Sequence, residues 1–287
     1  MATFVTFGSM SATQAQGTPV ASQPTVCSEP QDLDATPVTS PTIPQSTLGI
    51  QRAEITLAVD NLIACRNHGE WAIWLSLFAG SYVDERFGEE TSEDPIGALT
   101  RAESDGFILP VSLVSVGEPV VTGNTGTITV TTREGHLIRR QDWSFVQEDS
   151  AWLCTGMVAL PPLLEVNAVG IPITITSSGI SSTRDQLVDP GAIILQIVNT
   201  TTARVPVVIL ANPASVLSAD IAGRMSSGAF DPADVVGWEE VEAGGEQLVV
   251  LSELPPGDYV VVTGYAPGAP GGSIDPAEIV QITISRG

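Results

Sequence analysis

The chain has 287 residues, 43% of them hydrophobic, and carries 33 acidic side chains against 11 basic ones, all arginine, for a formal net charge of −22. Acidity spread along the whole chain repels nucleic-acid backbones and anionic membrane surfaces, so no nucleic acid is expected as a partner. No window offers the roughly 18 uninterrupted apolar residues of a membrane-spanning helix, so no transmembrane segment is predicted, and the length suits two domains of ordinary size. The plain reading of the charge is solubility in an extracellular setting; a cation-binding surface is the sharper one.

The opening "MATFVTFGSMSATQAQ" is partly apolar over residues 2–10, and "TQA" before Gln16 has the small residues that signal peptidase accepts. Residues 1–16 are therefore expected to be an export-signal remnant, and the protein extracellular or associated with the cell envelope. A merely disordered start is the other reading. Residues 17–47 are dense in Thr, Ser, Pro and Gln without apolar periodicity, which predicts an extended tether. Cys27 falls within it.

The texture changes at Ile50. "IQRAEITLAVDNLIACRNHG" puts Ile55, Ala58, Val59, Leu62 and Ile63 on one helical face, and Asn67, His68 and Gly69 then stop it. "EWAIWLSLFAGSYVDERFG" predicts a second helix with Trp71, Trp74, Leu75 and Phe78 inward, and Asp94–Pro95 starts a shorter third one. Four strands follow, "ILPVSLVSVG", "GTITVTTREG", "HLIRRQDWSFVQED" and "AWLCTGMVAL", separated by turn chemistry at Gly123–Asn124, Glu134–Gly135 and Glu148–Ser150. Helices followed by an antiparallel meander predict an α+β unit over 48–164, its helices packed on one face of a curved sheet.

"LIACRNHGEWAIWLSLFAGSYV", followed later by "DWSFVQEDSAWLC", resembles the opening and close of nuclear transport factor 2-like (SnoaL-like) domains. The resemblance implies a cone enclosing a pocket, used in some members for isomerase, cyclase or epoxide-opening chemistry and in many others only for binding. Such chemistry needs a general acid or base in an apolar cavity. Tyr82 and Asp84 follow the second helix, where related domains line the pocket mouth. Arg139, Gln141, Trp143 and Phe145 share one face of the third strand, and Arg140, Asp142 and Ser144 share the other. If the Trp143 face turns inward, Arg139 and Gln141 would fix a polar ligand; if the other does, Asp142 with Arg140 resembles the paired charges of epoxide-opening relatives. Core aromatics and a cross-strand ion pair are the structural reading of the same residues. The ligand-pocket candidates are thus Trp74, Tyr82, Asp84, Arg139, Asp142 and Trp143. His68 and His136 sit in turns and read as exposed loop residues, and no group of nucleophile, base and orienter stands out. In such a cone the first helix and last strand pack together, so the resemblance implies a Cys65–Cys154 disulfide, with two buried thiols as the alternative. Three cysteines without suitably spaced partners predict no zinc site.

"LPPLLE" supplies a short, stiff joint. Beyond it recur the β-branched runs "IPITITSS", "GAIILQIVN", "RVPVVILANP", "EQLVVLSEL", "GDYVVVTGY" and "EIVQITIS", interrupted by a helical or irregular excursion, "ASVLSADIAGRMSSGAF". Short strands punctuated by Asp189–Pro190–Gly191, Asn199 and Pro255–Pro256–Gly257 predict an antiparallel sandwich over 165–287. Their order resembles cupredoxin-like domains, secreted Greek-key sandwiches that hold copper with two His, a Cys and a weak axial Met. Here no His or Cys follows Cys154, and the only Met of 165–287 is Met225, so the sandwich is expected without metal or other cofactor. Asp231, Asp234 and Glu242 lack the spacing of a calcium loop; Tyr265 with Gly268, Gly271 and Gly272 reads as connecting loop or recognition surface.

The sequence thus predicts an α+β cone followed by an all-β Greek-key sandwich. The leading functional expectation is an exported, non-catalytic binding or cell-surface protein that takes an unknown small molecule or protein in its first unit. Its rival is a SnoaL-like enzyme acting on a small apolar substrate, with Asp84, Arg139, Asp142 or Tyr82 as its working groups. A homodimer through the first-unit sheet belongs to the same expectation.

Overall fold

A computed structural model describes residue 27 and residues 47–87, 94–163, 168–188, 191–212, 218–226, 232–264 and 275–285. The export remnant, nearly all of the tether, Asp231, and Tyr265 with its glycines lie outside the described residues. The helices are α1 (Thr47–Asn67), α2 (Trp71–Ser76), α3 (Gly80–Phe87), α4 (Pro95–Ser104) and α5 (Ser218–Ser226). The first strands are β1 (Val111–Val116), β2 (Val120–Thr122), β3 (Thr125–Glu134), β4 (Leu137–Glu148) and β5 (Ala151–Ala159). They are followed by β6 (Ala168–Thr176), β7 (Gly179–Ser182), β8 (Gln186–Val188), β9 (Ala192–Asn199) and β10 (Val205–Ala211). The last are β11 (Val235–Val241), β12 (Glu246–Ser252), β13 (Gly257–Thr263) and β14 (Ile279–Ser285).

In the first unit, Ile55, Val59 and Leu62 of α1 pack on Ile128 and Val130 of β3 and on Trp143 and Phe145 of β4. Asp94 caps α4, its carboxylate accepting from the Ile96 N–H at 3.3 Å, with Pro95 in the first turn. The helix predicted across 71–87 divides in two. Phe78 bridges to Cys154 of β5, whose carbonyl accepts from the Ala79 N–H and whose N–H donates to the Leu77 carbonyl. This pairing covers the outer edge of β5, and helical geometry at 77–79 is given up for it.

Two sheets enclose the second core. The sequence-predicted antiparallel order is broken twice: β6 pairs parallel with β9, and β8 parallel with β14. The short strands β7 and β8, invisible as apolar runs, carry the chain from one sheet to the other between these pairings. Ile171, Ile173, Leu195, Ile197, Val249 and Leu251 of one sheet face Val207, Ile209, Tyr259, Val261, Ile282 and Ile284 of the other. The five-stranded sheet β11–β10–β13–β14–β8 is buried on its back as well, where Val208, Leu210, Val260 and Val262 meet Ile221 and Ala222 of α5 and Phe107 and Leu109 from the first unit. Burial on both faces is why "VVIL" and "YVVV" are continuous apolar runs without alternation.

The two units are not joined by the linker alone. β4 pairs with β12 through Ile138–Val250 and Leu137–Leu251, so one nine-stranded sheet, β1–β3–β4–β12–β9–β6–β7 with β2 and β5 alongside, runs through both. A single face of β4 consequently serves two cores: Leu137 lies in the sandwich core, Trp143 and Phe145 in the helix-covered one. The turn between β3 and β4 threads the sandwich. Gly135 has φ +58°, and a Cβ there would stand 2.9 Å from the Val236 carbonyl and 2.8 Å from Leu109 Cδ1. The His136 N–H donates to the Val236 carbonyl, and the Ser252 N–H donates to that of His136.

Candidate functional site

The side chains proposed from sequence as a pocket do not share one. Trp143 and Phe145 are buried with Phe78 and Trp152 in the core under α1. Trp74 and Tyr82 pack at its margin through Phe78, with ring centroids 4.8 Å and 5.4 Å from it. Asp84 is exposed. Asp142 points to the other face of β4, where it accepts from the Thr129 hydroxyl at 2.5 Å. The interior expected to hold a ligand is packed with aromatic and aliphatic side chains.

Arg139 marks the wall between the cores. Its Nε donates to Glu134 at 3.0 Å, and its other nitrogens reach Glu239 and, at 3.1 Å, the Trp238 carbonyl. Glu134 also accepts from Arg66 of α1. Two cations thus face two carboxylates drawn from α1, β3, β4 and β11. Burial pushes the Glu134 carboxyl up, but the two arginines outweigh it and hold it below the usual range. Burial wins at Glu239, whose carboxyl is raised against the pull of Arg139. The Trp238 indole N–H donates to the Phe107 carbonyl at 3.0 Å, tying the same strand to the first unit.

The expected disulfide is corrected. Cys65 is bonded to Cys27, and Cys154 is a free, buried thiol. Cys65 and Cys154 are both in the first unit, yet Cys154 sits in the sheet where β5 meets residues 77–79; burial raises its thiol pKa to about 12. Cys27, read only as part of a tether, gave no periodic signal that it would return to α1.

A concavity built from described residues lies at one end of the sandwich. Asn199, fully buried at the end of β9, organises it: its Nδ2 lies 2.8 Å from the Ala203 carbonyl and 3.0 Å from that of Glu242. Its Oδ1 accepts from the Thr201 N–H and hydroxyl at 3.0 and 2.7 Å. Thr200 is pinned to the Ile175 carbonyl through its N–H and its hydroxyl. The opposite wall is the short turn 275–278, in which the Asp275 carboxylate accepts from the Ala277 N–H and the Glu278 carboxylate from the Asp275 N–H, both at 2.9 Å. The β6–β7 hairpin forms the third wall; Gly179, at φ +132°, lies so close to the Ala277 carbonyl that no Cβ would fit. Between them is a cleft of about 530 Å³, lined by Thr176, Ser177, Ser178 and Thr201 with Arg204, Asp275 and Glu278, and by the apolar Ile175, Val205 and Pro206. Arg204 pairs with Glu240 at 3.3 Å and Glu242 at 3.0 Å, an exposed arrangement worth under about 1 kcal/mol that leaves it adjustable. Sequence reasoning missed this end; its signal was the hydroxyl run "NTTTAR".

No family model matches the sequence, and no curated protein matches it. Solved structures overlap part of the chain. Auracyanin B is 15% identical and matches 44% of this chain and 93% of its own, at TM-score 0.29. Reduced auracyanin from Roseiflexus castenholzii is 18% identical over 42% of this chain and 97% of its own, at TM-score 0.27. Auracyanin A of Chloroflexus aurantiacus, a blue copper protein, is 15% identical over 41% of this chain and 99% of its own, at TM-score 0.29. The two-sheet sandwich stands on its own strand pairing. Among the described residues, no group of three or more His, Cys, Asp or Glu side chains is placed to hold a metal ion.

Proposed function

We propose that this is an exported, non-catalytic binding protein that holds a small hydroxylated ligand, a saccharide in the first instance, in the cleft at the end of its sandwich. The observation that carries the reading is the cleft itself. Its volume falls in the range of small-molecule sites, and hydroxyls that both donate and accept complement a ligand of the same chemistry. The cupredoxin-like assignment belongs to this proposal: the sandwich is a copper scaffold put to another use. Export is supported by the Cys27–Cys65 bond, which oxidising compartments favour. The nuclear transport factor 2-like assignment of the first unit rests on its order of helices and meander. In this reading that unit is a buttress, its interior packed with Phe78, Trp143, Phe145 and Trp152.

The test is calorimetric titration of the purified protein with a panel of neutral mono- and disaccharides, repeated with Thr201→Val and Arg204→Ala. Binding that either variant weakens at least tenfold is the expected result. Binding unchanged in both, or none across the panel at millimolar ligand, would refute it.

A further inference from the structure

We infer that, with the cleft taken as the binding site proposed above, Asn199 is its positioning residue: it joins the 200–204 loop and the 242–245 turn into one wall and so fixes where Arg204 stands. Asn199 ends β9 with no exposed surface, and its side chain reaches both segments. Its Nδ2 donates to the Ala203 carbonyl at 2.8 Å on one side, and to the Val241 and Glu242 carbonyls at 3.1 and 3.0 Å on the other. Its Oδ1 accepts from the Thr201 N–H and hydroxyl at 3.0 and 2.7 Å. Main-chain bonds close the circuit. The Gly244 N–H donates to the Thr201 carbonyl at 3.0 Å, and the Asn199 N–H to that of Gly245 at 2.9 Å. A buried polar network satisfied in this way rigidifies the segments it ties.

The chemistry of the place calls for a carboxamide. Three carbonyls face Nδ2, so turning the amide over would set Oδ1 against them, and an aspartate would set a charge there. Asn199–Thr200–Thr201 is also the chain's one Asn-x-Ser/Thr triplet, a pattern that accepts a glycan where its nitrogen is exposed. Here that nitrogen is buried inside the wall, and the triplet serves the turn instead. The same nitrogen holds the backbone on both sides of the Arg204 clamp. Ala203 precedes Arg204, and the Arg204 guanidinium pairs with the Glu242 carboxylate at 3.0 Å and with Glu240 at 3.3 Å. Exposed pairs of this kind are too weak to hold a guanidinium in one place by themselves. The amide beneath them sets the separation over which they act.

The experiment is amide hydrogen exchange of the full chain, read at Thr201 and Gly244. Asn199→Ala is compared with Ile197→Val or Ile197→Ala, whichever matches it in urea midpoint; Ile197 is a buried core residue of the same strand. Asn199→Ser takes its place should Asn199→Ala not fold. Both amides are expected to exchange about tenfold faster than in the Ile197 variant, one in each segment. Gly244 exchanging as it does in the Ile197 variant overturns the inference, because the two segments then open separately or only with general stability. Calorimetric titration follows with a saccharide that the unaltered protein binds. Asn199→Ala is expected to raise the dissociation constant about tenfold, the Ile197 variant to leave it unchanged, and Asn199→Ala with Arg204→Ala to lose no more than Arg204→Ala alone. An unchanged constant in Asn199→Ala, or losses that add, overturns the placing of Arg204 by Asn199. Absence of saccharide binding in the unaltered protein refutes the cleft reading, and the exchange rates alone then decide whether Asn199 makes one wall of the two segments.

Discussion

Replacing Glu134 by Gln tests the junction most directly. The carboxylate accepts from both Arg66 and Arg139, and its side chain is only 9% exposed. Each charge-assisted hydrogen bond contributes about 1.5–3 kcal/mol. The amide retains one acceptor oxygen but loses the charge. Arg139 keeps Glu239, whereas Arg66 loses the carboxylate that faced it. The expected loss is about 3 kcal/mol, the lower end of what breaking one side of a buried pair costs. Glu239→Gln should cost less than about 1 kcal/mol, because burial already disfavours that charge. The pH dependence separates the two. The Glu134 carboxyl is held below its ordinary 4.5, so its contribution is present above pH 4.5 and is lost as pH falls through the folded value. Glu239 is raised above 4.5, so its ionisation costs stability at neutral pH and the cost lifts on acidification toward 4.5. Urea unfolding followed by tryptophan fluorescence between pH 3 and 8 reads both. Glu134→Gln should flatten the acid limb below 4.5, and Glu239→Gln the segment above it. Glu239→Gln costing as much as Glu134→Gln would refute this account of the junction.

Gly135→Ala forces a left-handed conformation and drives a methyl group against the Val236 carbonyl and Leu109. It should lower stability by about 2–3 kcal/mol in the same urea assay, with a carbonyl that cannot move aside. Phe145→Ala removes a fully buried ring from the helix-covered core and should cost about 3–5 kcal/mol, visible as an earlier thermal midpoint. The Cys154 thiol, with its pKa near 12, should resist iodoacetamide at pH 8 in the folded protein and react only in denaturant. Reduction should then expose two further thiols, Cys27 and Cys65.

Elements built from strong local pattern were legible in the sequence. The apolar face of α1, the Asp94–Pro95 start and the long strands of both units follow from periodicity and capping alone. Three kinds of feature were not. Strands β2, β7 and β8 are too short to show a period, and β11, "VVGWEEV", reads as an acidic surface until its Val235 and Val236 are seen facing opposite cores. The break at 77–79 comes from pairing with β5 across 75 residues of chain, which local preference cannot encode. The fusion of the units depends on which end of β4 outruns β5 to meet β12. Arg139 was singled out for a pocket on a sound face assignment, since it does share its face with Trp143. What the alternation could not show is that this face passes from one core to another, and that Arg139 stands at the crossing.

The Cys27–Cys65 bond has a mechanical consequence. Along the peptide backbone, an arm ahead of the folded body would attach at Thr47; the disulfide moves the attachment to the far end of α1, about 27 Å away at 1.5 Å per residue. Tension on that arm enters the body one residue from Arg66, whose guanidinium grips Glu134 at the meeting of the two cores.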